Sequence, residues 1–177
     1  MRYKKLIEID IDLLTQCLIR TKDNKTVKTE VKEINTQHYN FKDWEFNWVE
    51  ESKKRNKILG LFAENDKRLQ GIVEYYENKE RQLLEVVLVE IAPFNNRHNP
   101  KNFLKSKEYL GVGGHLFAEI ARISFEKGYD GYVSFLAKTN LIEHYKKTLG
   151  AKQLSYIEMY IDDESAMKLV KKYYGKY

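Results

Sequence analysis

Apolar residues recur along this chain with a period near two in some stretches and near 3.6 in others. The two periods predict an ordered run of strands and helices. Residues around Lys4–Ile11 and Leu13–Arg20 read as strand regions, and the polar stretch Thr21–Lys25 reads as a turn before a strand at Thr26–Ile34. From Asp43 to Lys54 the spacing of Trp44, Trp48 and Val49 predicts a helix, with Asp43 as its cap. Ile58–Ala63 and Gln70–Glu77 read as strands joined by the polar connection Glu64–Arg68. Leu83–Ile91 is the most apolar strand and suits a central position, and Pro93 removes the donor needed to extend it. In a regular strand, alternation places Glu90 with Leu84, Val86 and Leu88, and Val87, Val89 and Ile91 on the other face.

Between Phe94 and Tyr109 the chain turns polar, which predicts an inserted surface loop over residues 94–110 with one turn at Lys101–Lys107. Leu116, Ile120 and Ile123 predict a helix from Val112 to Lys127, stopped by Gly128. Tyr132–Ala137 reads as a strand, and Leu141, Ile142, Tyr145 and Leu149 as a short helix ending at Gly150. Gln153–Ile161 returns to strand character, and Asp162 or Asp163 caps a last helix through Met167, Leu169 and Val170. No repeat, low-complexity tract or linker divides this order, so a single α/β domain spanning residues 1–177 is expected.

Composition narrows the classes. A length of 177 residues supports a real core, and 42% hydrophobic with 32% charged residues excludes global disorder. The formal charge of +5 suits an anionic cofactor, an acidic substrate or RNA without choosing among them. The tail Lys171–Tyr177 offers lysines and tyrosines able to contact backbone and stack on bases, but acidic residues spread along the whole chain argue against a nucleic-acid partner. One cysteine, Cys17, excludes an intrachain disulfide, and its apolar run Leu13–Ile19 suits a buried structural thiol. No apolar stretch has the length of a signal peptide or membrane span, so a cytoplasmic protein with no membrane partner is expected. His38, His98, His115 and His144 show no ordered ligand spacing, and no metal is expected.

The densest chemical signal is Gly111-Val112-Gly113-Gly114-His115-Leu116-Phe117, between the apolar strand and the amphipathic helix. Small residues at a helix start let backbone N–H groups crowd together at the positive end of the helix dipole, which suits a phosphate or pyrophosphate. The order of elements, with this turn in its place, resembles the GCN5-related acyltransferase (GNAT) superfamily. That family's glycine motif is Arg or Gln, two residues, Gly, one residue, then Gly or Ala. Gly111 and Gly113 match its small positions, and Gly114, Leu116 and Phe117 continue into the helix as the family does. Glu108 falls on the first position and departs from it. A carboxylate there would repel pyrophosphate, so either Glu108 points elsewhere or the ligand pose differs, with Lys105 or Lys107 as the alternative positive charge. Asn140, Tyr145, Lys147, Leu149, Gly150 and Ala151 loosely resemble the family's Asn…Tyr-Glu-Lys-Leu-Gly-Phe segment.

The resemblance spans about Ile58–Ile161. It implies a GNAT-like α/β fold: a mixed, mostly antiparallel central sheet with splayed central strands and flanking helices, and acyl-coenzyme A held between those strands. It implies that the backbone of Leu88, Val89, Glu90 and Ile91 meets the acyl carbonyl and pantetheine, and that the amides of Val112, Gly113, Gly114 and His115 beside Gly111 receive the pyrophosphate. Asn140 and Tyr145 complete the coenzyme site by the same resemblance. Tyr145 is the implied general acid, and Glu90, an acidic residue in an apolar strand, the candidate base or amine anchor, with Glu74 and Glu85 weaker. His98 and His115 have a suitable pKa for proton transfer, yet His98 lies in the loop and His115 follows the turn, where it would contact cofactor or solvent. The implied activity is acetyl transfer from acetyl-CoA directly to a primary amine on a small molecule or a protein. Trp44, Trp48, Tyr75, Tyr76 and the Phe94–Tyr109 loop would shape the acceptor pocket. A noncatalytic coenzyme-binding or regulatory module is the alternative, and an RNA-binding protein a further one. The resemblance also admits a homodimer.

Overall fold

The computed structural model describes residues 5–9, 11–12 and 17–175, and the expectations for Lys4, Asp10, residues 13–16 and residues 176–177 lie outside them. In chain order the elements are β1 (Leu18–Arg20), β2 (Lys25–Val27), β3 (Thr29–Glu33), α1 (Trp48–Glu51), β4 (Lys57–Ala63), β5 (Asp66–Asn78), β6 (Leu83–Ile91), β7 (Tyr109–Leu110), α2 (Val112–Glu126), β8 (Val133–Leu136), α3 (Ile142–Leu149), β9 (Lys152–Gln153), β10 (Glu158–Ile161) and α4 (Asp163–Tyr174). Seven strands form one mixed sheet in the order β3-β4-β5-β6-β8-β10-β9, antiparallel except where β6 meets β8. Among the described residues no helix is long and apolar enough to cross a membrane.

The parallel contact between β6 and β8 covers only Leu84↔Val133, Glu85↔Ser134 and Val86↔Phe135. Beyond Val86, β6 stays paired with β5 out to Ile91, and its registered pairing with β8 has ended. The two central strands therefore part, as the acyltransferase resemblance implies. Their divergence coincides with an irregularity: Glu74 pairs with Leu88 and Tyr75 with Val86, leaving Val87 as an extra residue. The bulge reverses the side-chain phase. Leu84, Val86, Val89 and Ile91 share the main core, while Leu88 joins the cluster around Trp48 on the opposite face. The expected grouping of Glu90 with Leu84 and Val86 is therefore corrected: Glu90 faces Trp48.

Apolar residues of α2, α3 and α4 fill the main core, including Leu116, Ile120, Tyr145, Leu149, Leu169 and Val170. Close approach of α2 to the sheet depends on Gly71, where an added Cβ would lie 2.7 Å from Val112 Cγ1 and 3.0 Å from Leu116 Cδ1. The second face is covered by Tyr39, Phe41, Trp44, Phe46 and Trp48. This region is not the continuous Asp43–Lys54 helix that the spacing predicts. Only Trp48–Glu51 is α-helical, capped by Asn47 and followed by a 3-10 turn at Ser52–Lys54. The N–H groups of Glu45 and Phe46 donate to the Glu90 carboxylate instead, so those donors are satisfied without a helix.

Two further expectations resolve into shorter pieces. Thr26–Ile34 splits at Lys28 into β2 and β3, which belong to different sheets. Gln153–Ile161 becomes the hairpin strands β9 and β10. Of the region Leu13–Arg20, the described strand is β1, which pairs with β2 on one side and β7 on the other. This small sheet delivers the chain from Leu110 straight into Gly111, so it fixes the start of α2.

Candidate functional site

Three parts of the chain carry the candidate groups, and residues from 6 to 12 touch each of them. The first is the glycine turn. Gly111 caps α2 with φ 91°, a left-handed conformation that costs glycine little. Its N–H donates to Asp12 Oδ1 at 3.0 Å, and Lys107 Nζ lies 3.1 Å from Asp12 Oδ2. A backbone N–H and an ammonium thus converge on one carboxylate at a helix N-terminus, an arrangement suited to an anion. Glu108 points elsewhere: it pairs with Arg68 at 2.5 Å, and the Arg68 guanidinium also binds Asp66 and lies over the Phe94 ring. Val112, Gly113 and Gly114 follow as buried residues of the first turn.

His115 is a correction. Its N–H closes the first helical bond to Gly111 O at 3.0 Å, so it is not among the free donors of the turn. Its ring lies in the interior, with Nε2 2.7 Å from Thr29 Oγ1 and the plane stacked on Tyr173. Burial lowers its pKa to about 4, so it is neutral at physiological pH.

The second part is the diverging edge of β6. Leu88, Val89, Glu90 and Ile91 are all buried. The Glu90 carboxylate accepts from Trp48 Nε1 at 2.7 Å, Glu45 N at 2.6 Å and Phe46 N at 3.4 Å. Burial raises its pKa, opposed by these bonds, which favour the charged form. Beside it, Leu6, Glu8, Ile9, Glu45, Phe46, Val89, Glu90, Ile91, Asn96 and His98 enclose a pocket of about 200 Å³. Three of these residues carry carboxylates, which gives the pocket acidic walls in a chain of net positive charge.

The third part is α3 and the turn before it. Tyr145 is fully buried, packs edge-on to Phe135 and donates its hydroxyl to Ile9 O at 2.8 Å. Asn140 stands exposed on the 3-10 turn Thr139–Leu141. Glu74 and Glu85, the weaker candidates, lie apart from the pocket wall. Glu74 is buried and accepts from Asn56, with burial raising its pKa, while Glu85 pairs with Arg81 and accepts from Tyr76. Trp44, Trp48, Tyr75 and Tyr76 do not line the pocket: its aromatic residue is Phe46, which was not among the expected ones, the 94–110 loop contributes Asn96 and His98, and Trp48 stands behind the wall through Glu90.

The sequence gives no warning of Asp12, Glu8, Ile9, Glu45 or His144 at this place. Ile11 N donates to His144 Nε2 at 2.9 Å, which draws the N-terminal stretch onto α3. The only local signal for it is the alternation of Ile7, Ile9 and Ile11, which marks a buried strand-like face without naming its partner.

No protein-family model matches this chain, and neither does any curated protein. Solved structures do match in shape. A bacterial toxin superposes with a TM-score of 0.53 at 12% identity, over 86% of this chain and 100% of its own. An acetyltransferase of Bacillus subtilis in complex with CoA gives a TM-score of 0.48 at 15% identity, over 77% of this chain and 99% of its own. A chimera of the spermidine N-acetyltransferase SpeG from Vibrio cholerae and hSSAT gives 0.45 at 13% identity, over 78% and 98%. At these identities the likeness speaks to the fold alone.

Proposed function

We propose that this chain is an acyl-coenzyme A-dependent N-acyltransferase, with acetyl-CoA as donor and a primary amine as acceptor. One observation carries the reading: the parted edge of β6 opens onto an acidic pocket at one place and the chain presents an anion-binding helix start at another. The Gly111 N–H and Lys107 ammonium already hold a carboxylate, so the turn fits a phosphate-bearing group. In this reading the amides of Val112–Gly114 join them, the backbone of Leu88–Ile91 orients the donor, and Asn140, exposed on the turn before α3, is assigned to the same ligand. The donor supplies an activated acyl carbonyl. Transfer forms one C–N bond, breaks one C–S bond, removes a proton from the amine and returns one to sulfur.

The chain's own groups divide these tasks. Glu45 and Glu90 favour a cationic amine beside β6, and the buried Glu90 carboxylate, whose pKa burial raises, is the proton acceptor assigned to it. Tyr145 is the hydroxyl donor assigned to the departing sulfur. A turnover screen with acetyl-CoA and diverse amines tests this reading. The expected result is acetylated product with wild type, at least tenfold lower kcat for Tyr145→Phe, and a raised amine KM for Glu90→Gln. Coenzyme binding without turnover on any amine would favour a noncatalytic regulatory module. That second reading has its own observation: the N-terminal stretch lies across the coenzyme-facing groups.

A further inference from the structure

Residues 5–9, 11 and 12 follow a path along the parted strands. Ile7 forms a parallel bridge with Ala137 just beyond β8: its N–H donates to Leu136 O at 2.6 Å, and its carbonyl accepts from Lys138 N at 3.0 Å. The stretch therefore adds to the edge of β8 that faces away from β10, in the gap left by β6. Further along, Ile9 O takes the Tyr145 hydroxyl, Ile11 N reaches His144, and the Asp12 carboxylate seats on Gly111 N and Lys107. Ile7, Ile9 and Ile11 are all buried. Lys5 secures the other end by pairing with Glu51 and lying over the Phe46 ring, and Glu8 pairs with Lys138.

These are the groups that the proposed function assigns to the donor: the β6–β8 gap, the Tyr145 hydroxyl and the anion-binding turn. We propose that residues 5–9, 11 and 12 are an intrasteric occupant of the coenzyme site, with the backbone at Ile7 between the strands and the Asp12 carboxylate in the place of a phosphate. Coenzyme and stretch compete for one set of donors, so coenzyme enters only the fraction of molecules in which the stretch has left. The apparent dissociation constant is then raised by the inverse of that fraction. The inference rests on the coenzyme reading of the cleft and adds regulation to it. Whatever holds or frees these residues sets access to the site.

Two full-length variants loosen the stretch without touching its isoleucines. Asp12→Ala removes the charge on the glycine turn, and Lys5→Gln releases the far end, remote from that turn. Coenzyme A binding is measured by calorimetry for wild type and both variants, and hydrogen exchange of the Ile7, Ile11 and Lys138 amides is followed with and without coenzyme. The expected result is at least tenfold tighter binding by each variant, with exchange at these amides at least tenfold faster once coenzyme is bound. Equal binding by all three proteins, with these amides still protected, would overturn the occupant and leave the coenzyme site standing. Binding by none while the amides stay protected would make the stretch a permanent wall and overturn its displacement. Binding by none while the variants exchange freely would sink the coenzyme reading itself, and the occupant with it.

Discussion

His115 and Glu90 show how one side chain acquires its role from partners distant in sequence. His115 follows the glycine turn, yet the helix rotates its ring toward Thr29 and Tyr173, away from the turn. Its proton affinity gives a testable consequence. The unfolded chain binds a proton on this ring near the ordinary histidine pKa of about 6.5, whereas the folded chain does so only near 4. The folded-state pKa is depressed, so this residue's contribution is present above about 6.5 and is lost as pH falls toward 4. Denaturation midpoints at pH 7 and pH 5 are expected to show a loss of about 2 kcal/mol from this group. His115→Gln removes that share of the slope. An unchanged pH dependence in the variant would contradict the buried neutral ring. Raised pKa values at Glu90 and Glu74 act with the opposite sign, because burial disfavours their charged forms, so the comparison with the variant is what isolates His115. The acidic residue in an apolar strand was legible as unusual. Its three N–H donors were not, because they lie more than forty residues away in the chain.

Elements with strong periodicity and end signals were readable from the sequence. The start of α2 at Val112, the stop of α3 at Gly150 and the Asp162 cap of α4, whose carboxylate accepts from Ser165 N, all follow local chemistry. The bulge at Val87 was not readable, because both of its neighbours are apolar and either phase would bury them. The Asp43–Lys54 stretch has helical spacing, but tertiary hydrogen bonds to Glu90 override it before Asn47. The contact between α2 and β5 is close enough to test. Gly71→Ala would drive a methyl against Val112 and Leu116 and bring it 3.3 Å from Glu90 O. Overpacking of this kind costs about 1–3 kcal/mol. A urea titration should show the midpoint lowered accordingly, and a wild-type midpoint would mean that α2 sits less tightly on the sheet than the geometry states.

Across the whole molecule, two sheets and two apolar clusters serve one arrangement: a seven-stranded sheet opened at its only parallel pair among the described strands. The small sheet aims Gly111, the Trp48 cluster braces β6 through Glu90, and α3 presents Tyr145. The three buried isoleucines of the N-terminal stretch each contribute about 2 kcal/mol by burial, so the stretch is held as part of the core. Its place was invisible in the sequence, since an alternating strand-like run can join any free edge and Ala137 lies far along the chain. The overall order of elements was visible for the converse reason: most of the large sheet is built from neighbouring strands paired antiparallel, where local turns set the order.

The proposed function requires acyl-coenzyme A to bind along the parting of β6 and β8. Amide resonances of the full chain and of Asp12→Ala, followed by NMR during coenzyme A addition, test it most directly. Saturable shifts concentrated at Val89–Ile91 and Gly111–Gly114 are expected, reached at lower coenzyme concentration in the variant. Saturable shifts centred elsewhere, or none at these residues in either protein, would contradict it.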